Sequence, residues 1–477
     1  MSELDPRGAI PPAPGPTPAG EGAYVQQLHR ALSMKENILV TLSAVTPASS
    51  VFIIVPTVLL GVGGASVLTM LIGGVAAFFV ALCYAELAAT YPITGGEYTW
   101  AARLLGKPAG FSTFVLTLVS GVLIVAVIAL GTGEYLGVAW PALGGKWIGV
   151  GVIVVTTAVA VLNIRTNAWI TGIFLFVEIA AVIVVAVLGF AHPERGFGTF
   201  LQAQTVSDGV LGNVGVAAVM GLVPVALFAY NGYGAAVYYV EETKNATKTI
   251  GRVIIACLIA TVAVEIIPLA AVVVGAPSMT ELLGSESPMN YFLLARGGSA
   301  LNTIVSVGIA IAIINAVIAI ILQIARQLFS SARDRSWPEP VDRVLASVHP
   351  RFHSPVPATL TVGAFAAIAA SAVPLEWLIT ATGASVVAIY LAVALAALRL
   401  RRRGTRQSAG YRMPLWPLPP IIVIAMMAYV TYQLATTALS QLLVAAVTLL
   451  IGVVYYYVFL HPRRDERWLL ADPIVEE

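Results

Sequence analysis

Apolar runs separated by charged or Pro/Gly breaks dominate the chain. They lie near 38–61, 66–90, 110–135, 147–163, 168–190, 214–240, 253–275, 301–325, 356–374, 377–398, 418–437 and 439–460. A bilayer span needs about 20 consecutive apolar residues, so the pattern predicts twelve transmembrane helices in an all-α polytopic membrane protein. Residues 1–30 are rich in Pro, Gly and Ala and lack the apolar stretch of a signal peptide, and they read as a disordered tail.

Composition removes the soluble alternative. Of 477 residues, 58% are apolar and 10% charged, against about 25% charged in soluble domains, and the mean hydropathy is +0.89. Charge position sets the orientation. Of the 26 Lys and Arg residues, all but Lys146, Arg195 and Arg296 fall in the tails and loops on one side of the predicted spans. By the positive-inside rule both termini are cytoplasmic, in a multi-pass protein of the cell (inner) membrane. Cys83 and Cys257 sit inside apolar runs, so neither a disulfide framework nor a cysteine metal site is indicated. The expected partners are a small molecule, protons and the lipid bilayer. No cofactor, metal or nucleic acid is expected.

Two spans are interrupted. The first carries Thr46-Pro47-Ala48-Ser49-Ser50 and then Pro56, and the sixth carries Pro224 followed by Phe228-Ala229-Tyr230-Asn231-Gly232-Tyr233-Gly234. Irregular backbone at membrane depth is tolerated where it is buried in protein or lines a cavity. A matched pair of broken helices in two halves points to a transporter's central site. A half-helix N-terminus directs unsatisfied N–H groups at a carboxylate, and exposed carbonyls at the other half can receive an ammonium. Ser43, Thr46 and Ser50 fall on one helical face, and Phe228, Tyr230 and Tyr233 offer aromatic walls. An amino acid or amine is the ligand this chemistry suits.

Several stretches in order resemble the amino acid–polyamine–organocation permeases. Tyr84-Ala85-Glu86-Leu87-Ala88, Tyr91-Pro92-Ile93-Thr94-Gly95-Gly96-Glu97-Tyr98 and Leu105-Gly106 look like that family's YAEL…YP-x-x-GG-x-Y…LG signature. Phe228 to Glu242 and on to Ile250 resembles its sixth span and following loop. Arg326 to Pro338 and His349 to Pro357 resemble the end of its eighth span and the loop beyond. The resemblance covers about Leu32 to Pro462. It implies the LeuT-type 5+5 inverted repeat (residues 31–200 and 201–400), two extra helices (401–462) and a cytoplasmic tail (463–477). It also implies substrate held among spans 1, 3, 6, 8 and 10, with Phe228 as an aromatic gate and Ala229 to Gly232 as the unwound stretch. Two positions depart from the family. Thr46 to Ser50 replaces a glycine-rich break, and Gly234 stands where many members carry Glu, which weakens a polyamine or arginine reading and favours a neutral or small zwitterionic amino acid.

Intramembrane charges are costly and mark function by default. Glu178 lies about 16 Å into the fifth span, at 1.5 Å per residue, and Glu265 is at similar depth in the seventh. No Lys or Arg matches their depth. Each carboxyl is therefore neutral, bonded in a cavity or matched by a cationic ligand. Glu178 lies near the position where some members of the family carry a lysine thought to replace sodium, so Glu178, and secondarily Glu265, are candidates for the coupling proton. The stretch Ile313 to Ala325 lacks the hydroxyls a LeuT-type sodium site needs, which prefers proton symport or exchange. Asn315 and Gln323 share a face there, either lining the pathway or bonding helices together. Glu86, Glu97 and Arg103, with Glu241, Glu242 and Lys244, are expected to form cytoplasmic gate salt bridges or a fixed network. An enzyme is not indicated, because the five histidines lie in tails or loops and neither cysteine has a base in its span. No repeated filter or charged ring suggests a channel. A non-transporting sensor could keep every motif.

Overall fold

The computed structural model describes residues 32–92, 95–162, 168–350, 354–402 and 410–470. A capping box opens the helical run: Ser33 Oγ accepts from the Glu36 N–H, and the Glu36 carboxylate accepts from the Ser33 N–H. The first half of the chain contains α1 (Met34–Val45), α2 (Pro47–Ser49), α3 (Val55–Val62), α4 (Ser66–Thr90), α5 (Glu97–Leu104), α6 (Lys107–Ala139), α7 (Lys146–Val161) and α8 (Ala168–Ala191). The second half contains α9 (Val216–Gly221), α10 (Val223–Ala229), α11 (Ala246–Gly275), α12 (Met279–Gly284), α13 (Pro288–Arg333), α14 (Glu339–Leu345), α15 (Val356–Ala372), α16 (Leu375–Arg402), α17 (Leu418–Thr437) and α18 (Leu439–Tyr455).

Among the described residues, nine helical runs are long and apolar enough to cross a bilayer, and α7 and α15 are shorter apolar helices. The difference from twelve expected spans has two sources. The run Met34–Thr90 takes the first two apolar segments together, and α7 and α15 have 16 and 17 residues. Within that run the chain turns at Gly63, whose φ of +54° suits glycine and where a Cβ would stand 2.7 Å from the Gln204 carbonyl oxygen. The tail expected at 1–30 lies outside the described residues, as do the last residues of the tail expected at 463–477.

The all-α expectation also misses a hairpin. Gln204–Ser207 pairs antiparallel with Val210–Asn213. Asp208 and Gly209 join them at φ +52° and +75°, the backbone of a two-residue turn that matches strand twist.

In the helical body, α6 packs along α13, and α4 and α8 both pack along α11. Large apolar side chains remain on the outside: Phe176, Val216 and Val458 are 74%, 76% and 72% exposed. Such a surface is a liability in water and what hydrocarbon requires, so the chain is a multi-pass membrane protein. At one end of α6 the C-terminal segment is strapped down. Trp468 packs edge-on against Phe111, and Arg467 donates to Asp342 Oδ2 at 2.9 Å.

Candidate functional site

Both interruptions are present and they meet. The helix α1 stops at Thr46, whose φ of 48° is left-handed. Pro47, which has no N–H to donate, starts α2, and a π-type turn over Ser50–Ile54 follows before α3. The other interruption follows α10. Gly232 has φ +125°, and the chain continues as a 3-10 turn over Tyr233–Glu242. The Ser50 hydroxyl donates to the Ala229 carbonyl at 3.1 Å, joining the two breaks directly. A Cβ on Gly232 would stand 3.0 Å from both Cα and Cγ2 of Val45. Gly232→Ala is therefore expected to cost about 1–3 kcal/mol in backbone strain and to remove ligand binding, read by melting and ligand-shift experiments on the purified variant.

A cavity of about 130 Å³ lies at this junction. Six of the twelve residues anticipated for the ligand line it: Thr46, Ser50, Phe228, Ala229, Asn231 and Gly232. The other six are placed elsewhere. Pro47, Ala48 and Ser49 are buried behind the break. Tyr230 turns away and donates its hydroxyl to the Met70 carbonyl at 2.9 Å. Tyr233 packs between the rings of Tyr84 and Tyr390. Asn315 lies on α13 away from the lining, whereas Gln323 reaches it. Ser43, expected on the same polar stripe, instead donates to the Leu39 carbonyl, because the left-handed Thr46 ends the helical periodicity that would have aligned the three.

Sequence reasoning missed the remaining walls. Thr117, Ser120, Ile124 and Ile128 of α6, Ile320, Ile324 and Gln327 of α13, and Tyr84, Tyr238 and Tyr390 all face the cavity. The polar pairs Thr117/Ser120 and Gln323/Gln327 recur at helical spacing inside apolar spans, a signal that could have found them. Gln327 Nε2 donates to Thr117 Oγ1 at 2.9 Å, tying α13 to α6.

The two intramembrane carboxyls flank the first break without lining the cavity. Glu178, 2% exposed, accepts from the Ala48 N–H at 3.3 Å through Oε2. Glu265 is fully buried beside Ser50, whose hydroxyl donates to the Ala229 carbonyl, and neither Glu265 oxygen has a hydrogen-bond partner among the described residues.

Within the expected gate group, Glu86 accepts from Arg401 Nε at 2.6 Å. Arg401 lies in the basic stretch that ends α16, 315 residues along the chain from Glu86. Glu97 makes no ion pair with the described residues and accepts from two phenols, Tyr84 at 2.9 Å and Tyr238 at 3.4 Å. Burial pushes its carboxyl above the ordinary value of 4.5. The side chains of Glu241 and Glu242 lie outside the described residues.

The family described as amino acid permease matches residues 32–458. An uncharacterized transporter of Mycobacterium tuberculosis (strain ATCC 25618 / H37Rv) is 31% identical over 349 residues, 72% of this chain and 75% of the relative. The methylthioribose transporter of Bacillus subtilis (strain 168) is 25% identical, covering 90% of this chain and 94% of the relative. The branched-chain amino acid permease BcaP of the same organism is 22% identical, covering 91% and 94%.

Proposed function

This chain belongs to the amino acid permease family, and from that premise we propose that it is a secondary active transporter carrying an amino acid across the cell membrane by alternating access, coupled to protons. The observation that carries the reading is the contact of the two broken helices at one cavity, through Ser50 and Ala229. There a half-helix N-terminus can take a carboxylate while carbonyls take an ammonium. Twelve spans follow if the Met34–Thr90 run crosses twice, turning at Gly63, and if α7 and α15 each cross once. Residues 31–200 and 201–400 then form the inverted repeat, with both termini and the Arg-rich ends in the cytoplasm.

The glycine at 234 has a packing reason. A Cβ there would meet Tyr84 Cε1 at 2.9 Å, so the ring of Tyr84 occupies the space a longer side chain would need. With no carboxylate at 234, the break suits the head of a zwitterion, and the aliphatic wall of Ile124, Ile128, Ile320 and Ile324 suits the apolar part of its side chain. Glu178 is the proton carrier of the cycle. The pair Glu86–Arg401, with Arg103, Glu241 and Glu242, forms the cytoplasmic gate network.

Counterflow tests the carrier reading. Proteoliposomes preloaded with an unlabelled amino acid are expected to accumulate the labelled one transiently. Binding without any counterflow would instead make the protein a sensor.

A further inference from the structure

The cavity has two polar ends of different chemistry. One is the helix junction at Thr46, Ser50 and Asn231. The other is lined by Thr117, Ser120 and Gln327, and Glu97 lines the same cavity from the start of α5, where the neighbouring Tyr98 ring packs on Phe114, three residues before Thr117. Polarity changes along α6 between them. Thr117 and Ser120 face the cavity near the start of the helix, and Ile124 and Ile128 face it further along. The partner helix α13 runs the opposite way, with Gln327 bonded to Thr117 and Ile320 two turns earlier. A ligand reaching both ends therefore needs a polar head, an apolar stem and a polar tip.

Glu97 determines the sign of that tip. Among the described residues lining the cavity it is the one carboxylate, and none is Lys, Arg or His. Its oxygens accept from the two phenols and from its own backbone N–H, with no ion pair to any described residue. A desolvated carboxylate without a counter-charge is costly, and a cationic group arriving with the ligand supplies it. Further acceptors stand alongside. Gln327 gives its N–H to Thr117, which leaves its carbonyl free to accept, and the buried Ser120 hydroxyl has no partner. An ammonium carries three donors and no acceptor.

We propose that Glu97 is a specificity-determining residue whose carboxylate receives the distal ammonium of an extended diamino acid held by its head at the helix junction. This rests on the amino acid reading above. It replaces the neutral preference drawn from Gly234, because the missing carboxylate is supplied by a different element, the start of α5.

The test is binding to the purified protein of two series: 2,4-diaminobutyrate, ornithine and lysine, and their neutral counterparts ending in norleucine. Wild type is expected to bind lysine at least about tenfold more tightly than norleucine, or about 1.4 kcal/mol, with affinity rising along the diamino series. Glu97→Gln is expected to lower the lysine-to-norleucine ratio about tenfold. The preference should also fade as pH is lowered. The charged partner of an ammonium is the ionised carboxylate, and burial makes Glu97 take up its proton above the ordinary 4.5. The groups facing it, Tyr84, Tyr233, Tyr238 and Tyr390, are phenols with an ordinary pKa of about 10, so they hold their charge state over that range. Equal wild-type affinity for lysine and norleucine overturns the inference while leaving the amino acid reading intact. So does a ratio unchanged in the variant. Absence of binding by any amino acid overturns both. The wild-type series decides alone if the variant fails to fold.

Discussion

Replacing Arg401 by alanine is expected to cost about 3 kcal/mol of stability, within the range found when one partner of a buried ion pair is removed. The partner left behind is Glu86, whose side chain is 5% exposed, while Arg401 is 28% exposed. The lower end of the range is chosen because water reaches the guanidinium. Arg401 also donates to the Met413 carbonyl at 3.0 Å and lies over the Trp416 ring, so alanine loses a backbone tie and a stacking contact as well as the charge. Lysine should not restore it. Its ammonium keeps the charge but lacks the planar fork that serves Glu86 and Met413 together. The effect is read as a fall in the melting temperature of the purified protein. A double variant, Glu86→Leu with Arg401→Met, separates causes. It should recover most of the loss, because a buried pair exchanged for apolar groups is close to neutral. If Arg401→Ala melts with wild type, the pair is an incidental contact.

This pair also marks the limit of reading the chain alone. Glu86 stood out as an acid at the end of an apolar run, and the basic cluster from Arg399 onward stood out as a loop, but nothing in either segment ties one to the other across 315 residues. The sequence grouped Glu86 with Glu97 and Arg103 and left its partner open. The helix breaks were legible for the opposite reason: Pro47, Pro56, Pro224 and Gly232 act on their own backbone, so their consequence is local. Side-chain direction beyond a break was not. Once Thr46 turns left-handed the 3.6-residue spacing no longer projects forward, and Ser43 leaves the stripe it was expected to share. Beyond Gly232 the tighter 3-10 turn takes Tyr233 to the rings of Tyr84 and Tyr390. The Asp208-Gly209 hairpin was readable as a turn pair, and the strength of the surrounding helical pattern hid it. Glu97 escaped as a cavity residue because it lies outside every apolar run, and only the packing of α5 along α6 and α16 brings it to Tyr84 and Tyr238.

Glu178→Gln is expected to abolish the pH dependence of uptake while leaving substrate counterflow measurable. Glu178 meets the first break at the Ala48 N–H, one residue into the short helical segment that restarts at Pro47. The Ala48 N–H bonds an ionised carboxylate more strongly than a protonated one. Proton uptake thus weakens the hold of α8 on the first break, and proton release restores it. The same break lines the cavity through Thr46 and Ser50, so the two events share one backbone. Glutamine keeps the size and an accepting oxygen for Ala48 but cannot change charge, and so removes coupling without opening a cavity. Uptake driven by an imposed pH gradient should fall to the level seen without one. Glu265→Gln provides the contrast, since that carboxyl receives no hydrogen bond from the broken backbone and its loss should leave the gradient response in place. If Glu178→Gln retained full gradient-driven accumulation, the coupling proton would have to be carried elsewhere, and Glu97, the carboxylate facing the cavity, would be the next residue to replace.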